Sequence, residues 1–154
     1  MYPYILFFHS IWRWFVLVAL IAAIFRGFKG WLRNEPFAKA DDTLRHMTAT
    51  VVHIQLILGL IVYSISPLIR YFWSNYHEAI HERDIRFFGM EHSLMMLVSV
   101  IIITVGSMLA KRKENDRDKF KTMAIWYSIG LLIILLNIPW PFSPLVSRPW
   151  FRMF

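Results

Sequence analysis

The sequence predicts an all-α integral membrane protein in which four transmembrane helices form a bundle. Hydrophobic residues make up 57% of the 154 residues and charged residues only 18%, whereas soluble chains are about 45–50% apolar and about 25% charged. Four apolar runs approach the roughly 20 residues that a helix needs to cross a bilayer. The runs are continuous rather than alternating, which argues against membrane strands. Because the chain has no cysteine, disulfides and thiolate metal sites are excluded.

The first two helices are expected at about 4–25 and 47–69. The first run is interrupted only by His9 and Arg13. No basic region precedes it and no small-residue cleavage pattern follows it, so it is expected to insert uncleaved rather than to act as a signal peptide. The second run contains no formally charged residue. Residues 41–43, Asp-Asp-Thr, resemble a helix N-cap and predict that the second helix begins before the bilayer.

The last two helices are expected at about 87–110 and 122–138. The third carries Glu91 and His92 near its start, and the fourth ends where the sequence Pro-Trp-Pro begins at Pro139. No composition shift divides the chain, which is therefore expected to form a single membrane domain.

The positions of the basic residues predict the orientation of the bundle. The first and third connections hold eleven of the Lys and Arg residues, whereas the second connection and the C-terminal tail hold five. The positive-inside rule then places the first and third connections in the cytoplasm and both termini outside it. This explanation of the net charge of +7 makes nucleic acid an unexpected partner. The second connection is rich in aromatic residues around Trp73 and predicts a short interfacial helix.

Two histidines on different helices are expected at the same depth. His9 lies about one turn inside the outer end of the first helix, and His92 lies at a similar depth in the third. Such a pair can supply the two axial nitrogens of a haem b iron. Arg13 follows His9 by four residues and shares its face. It is expected to contact a haem propionate or to pair with Glu91, because an unpaired charge in lipid is unfavourable.

His53 is a further candidate cofactor-binding residue. By helical rise it is expected about 15 Å deeper than His9, where a structural role or contact with a quinone is favoured over metal ligation. His46 lies seven residues earlier on the same face. A second haem would need Met108 or Met123, or a ligand from another subunit.

Three alternatives compete for these residues. The histidine pair could serve only as interhelical hydrogen-bonding groups. His92, Met95 and Met96 share a helix face and could bind Cu(I), although Met is also a common apolar filler. His77 and His81 form a match to the H-E-x-x-H zinc motif, but the connection is too short to build a protease around it.

Four stretches of the sequence carry a resemblance to a known family; they are HSIWRW, HIQLILGLIVYSISP, EHSLMM and AIWYSIGLLIILLNIPWPF, one in each helix. Together they resemble the small four-helix membrane proteins of Bacteroidetes-type bacteria that are loosely named cytochrome b-like. The resemblance implies a bacterial inner membrane location and implies His9, His53 and His92 as functional histidines. Bacterial di-haem cytochromes b place paired histidines in both leaflets, and this chain lacks the inner pair.

These observations lead to one expected function and one alternative. The expected function is a b-type cytochrome-like subunit of the inner membrane that passes electrons between quinol and a partner protein. The alternative is a haem-free structural accessory subunit of a larger respiratory or transport complex. Either version is expected to associate with other membrane subunits or with copies of itself, and a quinone is a further candidate partner.

Overall fold

The structure is a computed structural model that describes residues 1–143 and 145–149. These residues form seven α-helices in chain order: α1 (Tyr2–Arg33), α2 (Lys39–Ile65), α3 (Pro67–Ser74), α4 (Tyr76–Ala79), α5 (Arg83–Arg86), α6 (His92–Arg112) and α7 (Asp116–Asn137). A π-helical turn, Phe87–Glu91, joins α5 to α6 without a break. The described chain contains no strand.

Four helical segments are long and apolar enough to cross a membrane. They are α1, α2, the continuous segment Arg83–Arg112 and α7. The prediction of an all-α bundle of four membrane-spanning helices is therefore confirmed. Helix α1 packs against α2 and α7, and α6 packs against α7 and α2, so the four segments form a closed four-sided bundle.

Helices α1 and α2 extend well past the predicted bilayer. α1 continues from the predicted end near residue 25 to Arg33, and α2 already begins at Lys39. The end of α1 is set by Asn34, whose left-handed backbone (φ 51°) directs its amide to O of Gly30. Arg26 stabilises the extension, because its guanidinium hydrogen-bonds both Asp41 and Glu35.

The two ends of the bundle differ in chemistry. We call the end with the α1–α2 and α6–α7 connections (34–38 and 113–115) the basic end, and the end with residue 1 and the connection 66–91 the aromatic end. The connection at the aromatic end begins with the short helix α3, as predicted. Phe72 of α3 is fully buried, whereas Trp73 is 60% exposed.

The core lies along the bundle axis, mainly in its basic half. Leu20, Phe120, Met123 and Tyr127 are completely buried there. The exterior is apolar as well, since side chains such as Val18 are 67% exposed. An apolar exterior along four spanning helices is appropriate to a lipid bilayer, and the chain is a multi-pass membrane protein.

Candidate functional site

His92 is held by a backbone carbonyl at the end of α7. Its Nδ1 lies 2.8 Å from O of Asn137. A carbonyl oxygen can only accept, so Nδ1 carries a proton in this contact. In the neutral ring Nε2 then keeps its lone pair and is available as an acceptor or a metal ligand.

The local sequence explains why this carbonyl is available. In a continuing helix O of Asn137 would accept from the amide four residues later. That residue is Pro141, which has no amide hydrogen. Pro139 leaves O of Leu135 without its helical donor in the same way, and the indole of Trp140 donates to it at 2.9 Å.

His9 faces α2 at Gln55 and Gly59. The side-chain amide of Gln55 donates to the backbone O of His9 at 3.1 Å, and the same nitrogen lies 3.5 Å from Nε2 of the His9 ring. A Cβ on Gly59 would lie 3.1 Å from Cε1 of the ring, so the glycine leaves the space that the ring occupies.

Two polar atoms remain unsatisfied at this point. Within the described part of the chain, Nδ1 of His9 and Oε1 of Gln55 are buried and have no hydrogen-bond partner. Buried polar atoms are normally paired with protein groups or water. The two unsatisfied atoms therefore indicate that the histidine site can accept a further polar group or ligand.

The structure brings His9, His92 and Arg13 together. His9 interacts electrostatically with both of the others, and His92 also interacts with Arg13. The Cζ atom of Arg13 lies 5.3 Å from the ring centre of Trp14 and 5.8 Å from that of Trp140, which are cation–π distances. Two imidazoles beside a guanidinium are complementary to an anionic ligand.

Glu91 corrects one prediction. It does not neutralise Arg13; its Oε1 accepts a hydrogen bond from Nε of Arg86 at 2.7 Å. The two residues are five apart, and the π-helical turn between them explains the contact, because its repeat of about five residues brings such positions to the same face. An uninterrupted α-helix, which the prediction assumed, would have separated them.

His53 is not part of this site. It lies two residues from Gln55 along α2 and therefore points to nearly the opposite side of the helix. Its Nε2 is 2.8 Å from Oγ1 of Thr104, which itself donates to O of Val100 at 2.7 Å. The threonine hydroxyl is thus the acceptor, and the proton is on Nε2 of His53.

The depth of His53 also differs from the prediction. Gln55 and Gly59 both contact His9 and mark its level on α2. His53 is two residues from Gln55 and six from Gly59, which makes it about 3–9 Å deeper than His9 rather than 15 Å. The error came from placing the end of the second helix at residue 69, although α2 ends at Ile65.

The remaining candidates lie elsewhere. Met123 is fully buried in the core, and Met108 lines a groove together with His46 and His53. The H-E-x-x-H match does not lie on one helix, because α4 ends at Ala79, two residues before His81. Among the described residues, no group of three or more His, Cys, Asp or Glu side chains is arranged to hold a metal ion.

Two features of the site were not predicted from the sequence. Gln55 was visible as a polar residue in an apolar run, and only the packing of α1 on α2 connects it with His9. The carbonyl of Asn137 could have been found from the spacing of Pro141, since a proline four residues after a helical position frees that carbonyl.

Comparison of the chain with protein-family models, with curated proteins and with solved structures finds no match. The geometry of the site is therefore the basis for a functional proposal.

Proposed function

We propose that this chain is a b-type cytochrome-like subunit that passes electrons between quinol and a partner protein, with one haem b held by His9 and His92. The observation that carries the proposal is the hydrogen bond from Nδ1 of His92 to O of Asn137. A metal-bound histidine typically donates its other ring nitrogen to a carbonyl in this way. His9 adds a second imidazole, whose Nε2 would bind the iron in place of its long contact with the amide nitrogen of Gln55 at 3.5 Å.

The residues present fit a haem b. The imidazoles of His9 and His92, from separate helices of the bundle, would hold the haem iron, and the guanidinium of Arg13 would pair with a propionate carboxylate. The indoles of Trp14 and Trp140 pack around that guanidinium. When bound, haem b supplies reversible one-electron transfer.

The protein's own groups orient the ligands. The Asn137 carbonyl fixes the tautomer of His92 and increases its basicity as a ligand. Gln55 binds both the backbone and the ring of His9, and Gly59 leaves space for that ring. These contacts limit the rotation of each imidazole before any cofactor binds.

The proposal includes a location in a bacterial inner membrane, with both termini outside the cytoplasm. Eleven Lys and Arg residues in the sequence segments 26–45 and 111–121, against five in segment 70–86 and the C-terminal tail, support this orientation. The histidine pair would then lie in the outer half of the bilayer, so the partner protein would take electrons on that side.

One observation favours the alternative of a haem-free accessory subunit. Polar contacts already join α1 to α2 through His9 and Gln55, and α2 to α6 through His53 and Thr104. The His92 contact joins α6 to the end of α7. Hydrogen bonds between spanning helices stabilise bundles without any cofactor.

Variants of the two histidines distinguish these functions. In protein purified from haem-replete cells, His9→Ala and His92→Ala should each abolish the sharp bands of low-spin haem, because each removes one axial ligand. His77→Ala and His81→Ala are matched controls, since both side chains are exposed in the connection at the aromatic end. Their haem content and spectrum should stay unchanged.

The opposite pattern would support the accessory subunit. If all four variants and the unmodified chain were folded and had no haem absorbance, the proposed cofactor would be rejected. Equal haem loss in the control variants would reject His9 and His92 as the ligands.

A further inference from the structure

Two neighbouring grooves at the basic end share a single lysine. The first has a volume of about 270 Å³ and is lined by Lys39, Lys111 and Lys119, together with Phe37, Ala38 and Asp42. The second, of about 230 Å³, runs between α2 and α6, and Lys111 also lines it. A three-lysine pocket therefore adjoins a groove between α2 and α6.

The pocket carries an excess of positive charge. Asp42 pairs with Arg45 at 2.8 Å, and Lys119 pairs with Asp116 at 3.1 Å. Among the described residues, Lys39 and Lys111 have no ion-pair partner. Two exposed ammonium groups beside an already neutralised carboxylate are complementary to a phosphate.

The groove next to the pocket is mostly polar. Thr104 is seven residues from Lys111 on α6, so the groove extends about 10 Å along that helix. Its apolar members are Ala49 and Met108, and the rest of its lining is polar or charged, including Arg45, His46, Thr50, His53 and Ser107. The lysine pocket, and not the groove, is therefore the part suited to an anionic headgroup.

We propose that the basic end binds an anionic phospholipid, with its phosphate between Lys39 and Lys111 and its acyl chains in the surrounding bilayer. Basic pockets between spanning helices are known binding sites for the headgroups of anionic lipids. A quinol fits this place less well, because a neutral ring forms no ion pair with the lysines. The His53 donor is also already bonded to Thr104. The site is separate from the histidine pair.

The test measures lipid retention by the full chain in a neutral detergent. After delipidation, binding of phosphatidylglycerol and of phosphatidylcholine is followed by native mass spectrometry. Lys39→Gln and Lys111→Gln should each weaken phosphatidylglycerol binding about fivefold, the factor that corresponds to the contribution of one basic residue near a lipid surface. Both side chains are exposed, so the substitutions leave the packed core unchanged.

Lys29→Gln and Lys113→Gln are the matched controls. They remove the same charge at the same end of the bundle but do not line either groove, and binding should change less than twofold. Thr50→Leu, which changes the groove but not the lysine pocket, should leave phosphatidylglycerol binding within twofold. Phosphatidylcholine should be retained weakly by every variant.

Several results would overturn the proposal. Equal losses in the control variants would show attraction by overall charge rather than a site. Inorganic phosphate that binds as tightly as the lipid would assign the pocket to a free anion. A short-chain quinone retained in place of phosphatidylglycerol would assign the groove to a quinone.

Discussion

The tautomer of His92 depends on the end of α7, whose last carbonyls have no helical donor. Pro141 cannot donate to O of Asn137, so the carbonyl remains free for the imidazole. His9 is oriented differently. The side-chain amide of Gln55 contacts it, and Gly59 has no side chain that would occupy the space of its ring. At the residue scale, then, ring orientation is controlled by groups that are themselves neither charged nor metal-binding.

The Arg86–Glu91 pair gives a prediction at the same scale. Both side chains are about one-third exposed, so the pair should contribute at most about 1 kcal/mol. In a double-mutant cycle on thermal stability in detergent, Glu91→Gln and Arg86→Met should lose less together than the sum of their separate losses. Glu91→Gln and Arg13→Met should be additive within about 0.5 kcal/mol. Strong coupling of Glu91 to Arg13 would contradict the observed pairing.

At the scale of elements, α3 packs closely against the π-helical turn. Gly89 lies in the turn, and a Cβ there would be 2.6 Å from Cγ of the fully buried Phe72. O of Gly89 also accepts from the hydroxyl of Tyr63 at 2.9 Å. The start of α6, and with it His92, is therefore positioned by the connection at the aromatic end.

Gly89→Ala should destabilise the protein by about 1–3 kcal/mol, because the added methyl group overpacks the contact with Phe72. Thermal unfolding in detergent measures the loss. Met90→Ala, an exposed neighbour, serves as the control and should have a small effect. Combining Gly89→Ala with Phe72→Leu should recover part of the loss, and simple addition of the two losses would show that the contact is not the cause.

The extension of α1 and α2 predicts a dependence on pH. The Arg26 guanidinium hydrogen-bonded to Glu35 holds the pKa of that carboxyl below its usual value of 4.5. A carboxyl whose pKa is lower in the folded state stabilises the protein above pH 4.5 and loses this effect as the pH falls through the folded pKa. Glu35→Gln should therefore show a shallower loss of thermal stability between pH 5 and pH 3 than the unmodified chain. Identical pH profiles would mean that the pair does not contribute.

For the whole molecule, the sequence predicted the number and position of the spanning helices more accurately than it predicted the side-chain contacts between them. The four apolar runs located the spanning helices, because hydrophobic length is a property of the sequence alone. The matched depth of His9 and His92 stays a prediction, and it is supported by the electrostatic interaction of His9 with His92 and Arg13. The partner of Glu91 depends on a π-helical turn, and the depth of His53 depends on where α2 ends. The length of an apolar run indicates neither feature. The pairing of Gln55 with His9 depends on helix rotation, which hydrophobic patterning does not specify.

Orientation is the prediction that belongs to the whole bundle. The chain contains no cysteine, so single cysteines at Asn115 and Asn75 are unique labelling sites. In intact inner-membrane preparations, Asn115→Cys should react with an impermeant thiol reagent only from the cytoplasmic side, and Asn75→Cys only from the outside. Reaction of both from the same side would contradict the four-span topology.

The central claim is that His9 and His92 share a haem, and the absorption spectrum of the purified chain tests it most directly. Protein from haem-replete cells should contain one haem b per chain. On reduction with dithionite it should show the sharp visible bands of a six-coordinate, low-spin iron with two histidine ligands. A folded chain that has no Soret absorbance, or a high-spin spectrum unchanged by His9→Ala and His92→Ala, would contradict the claim.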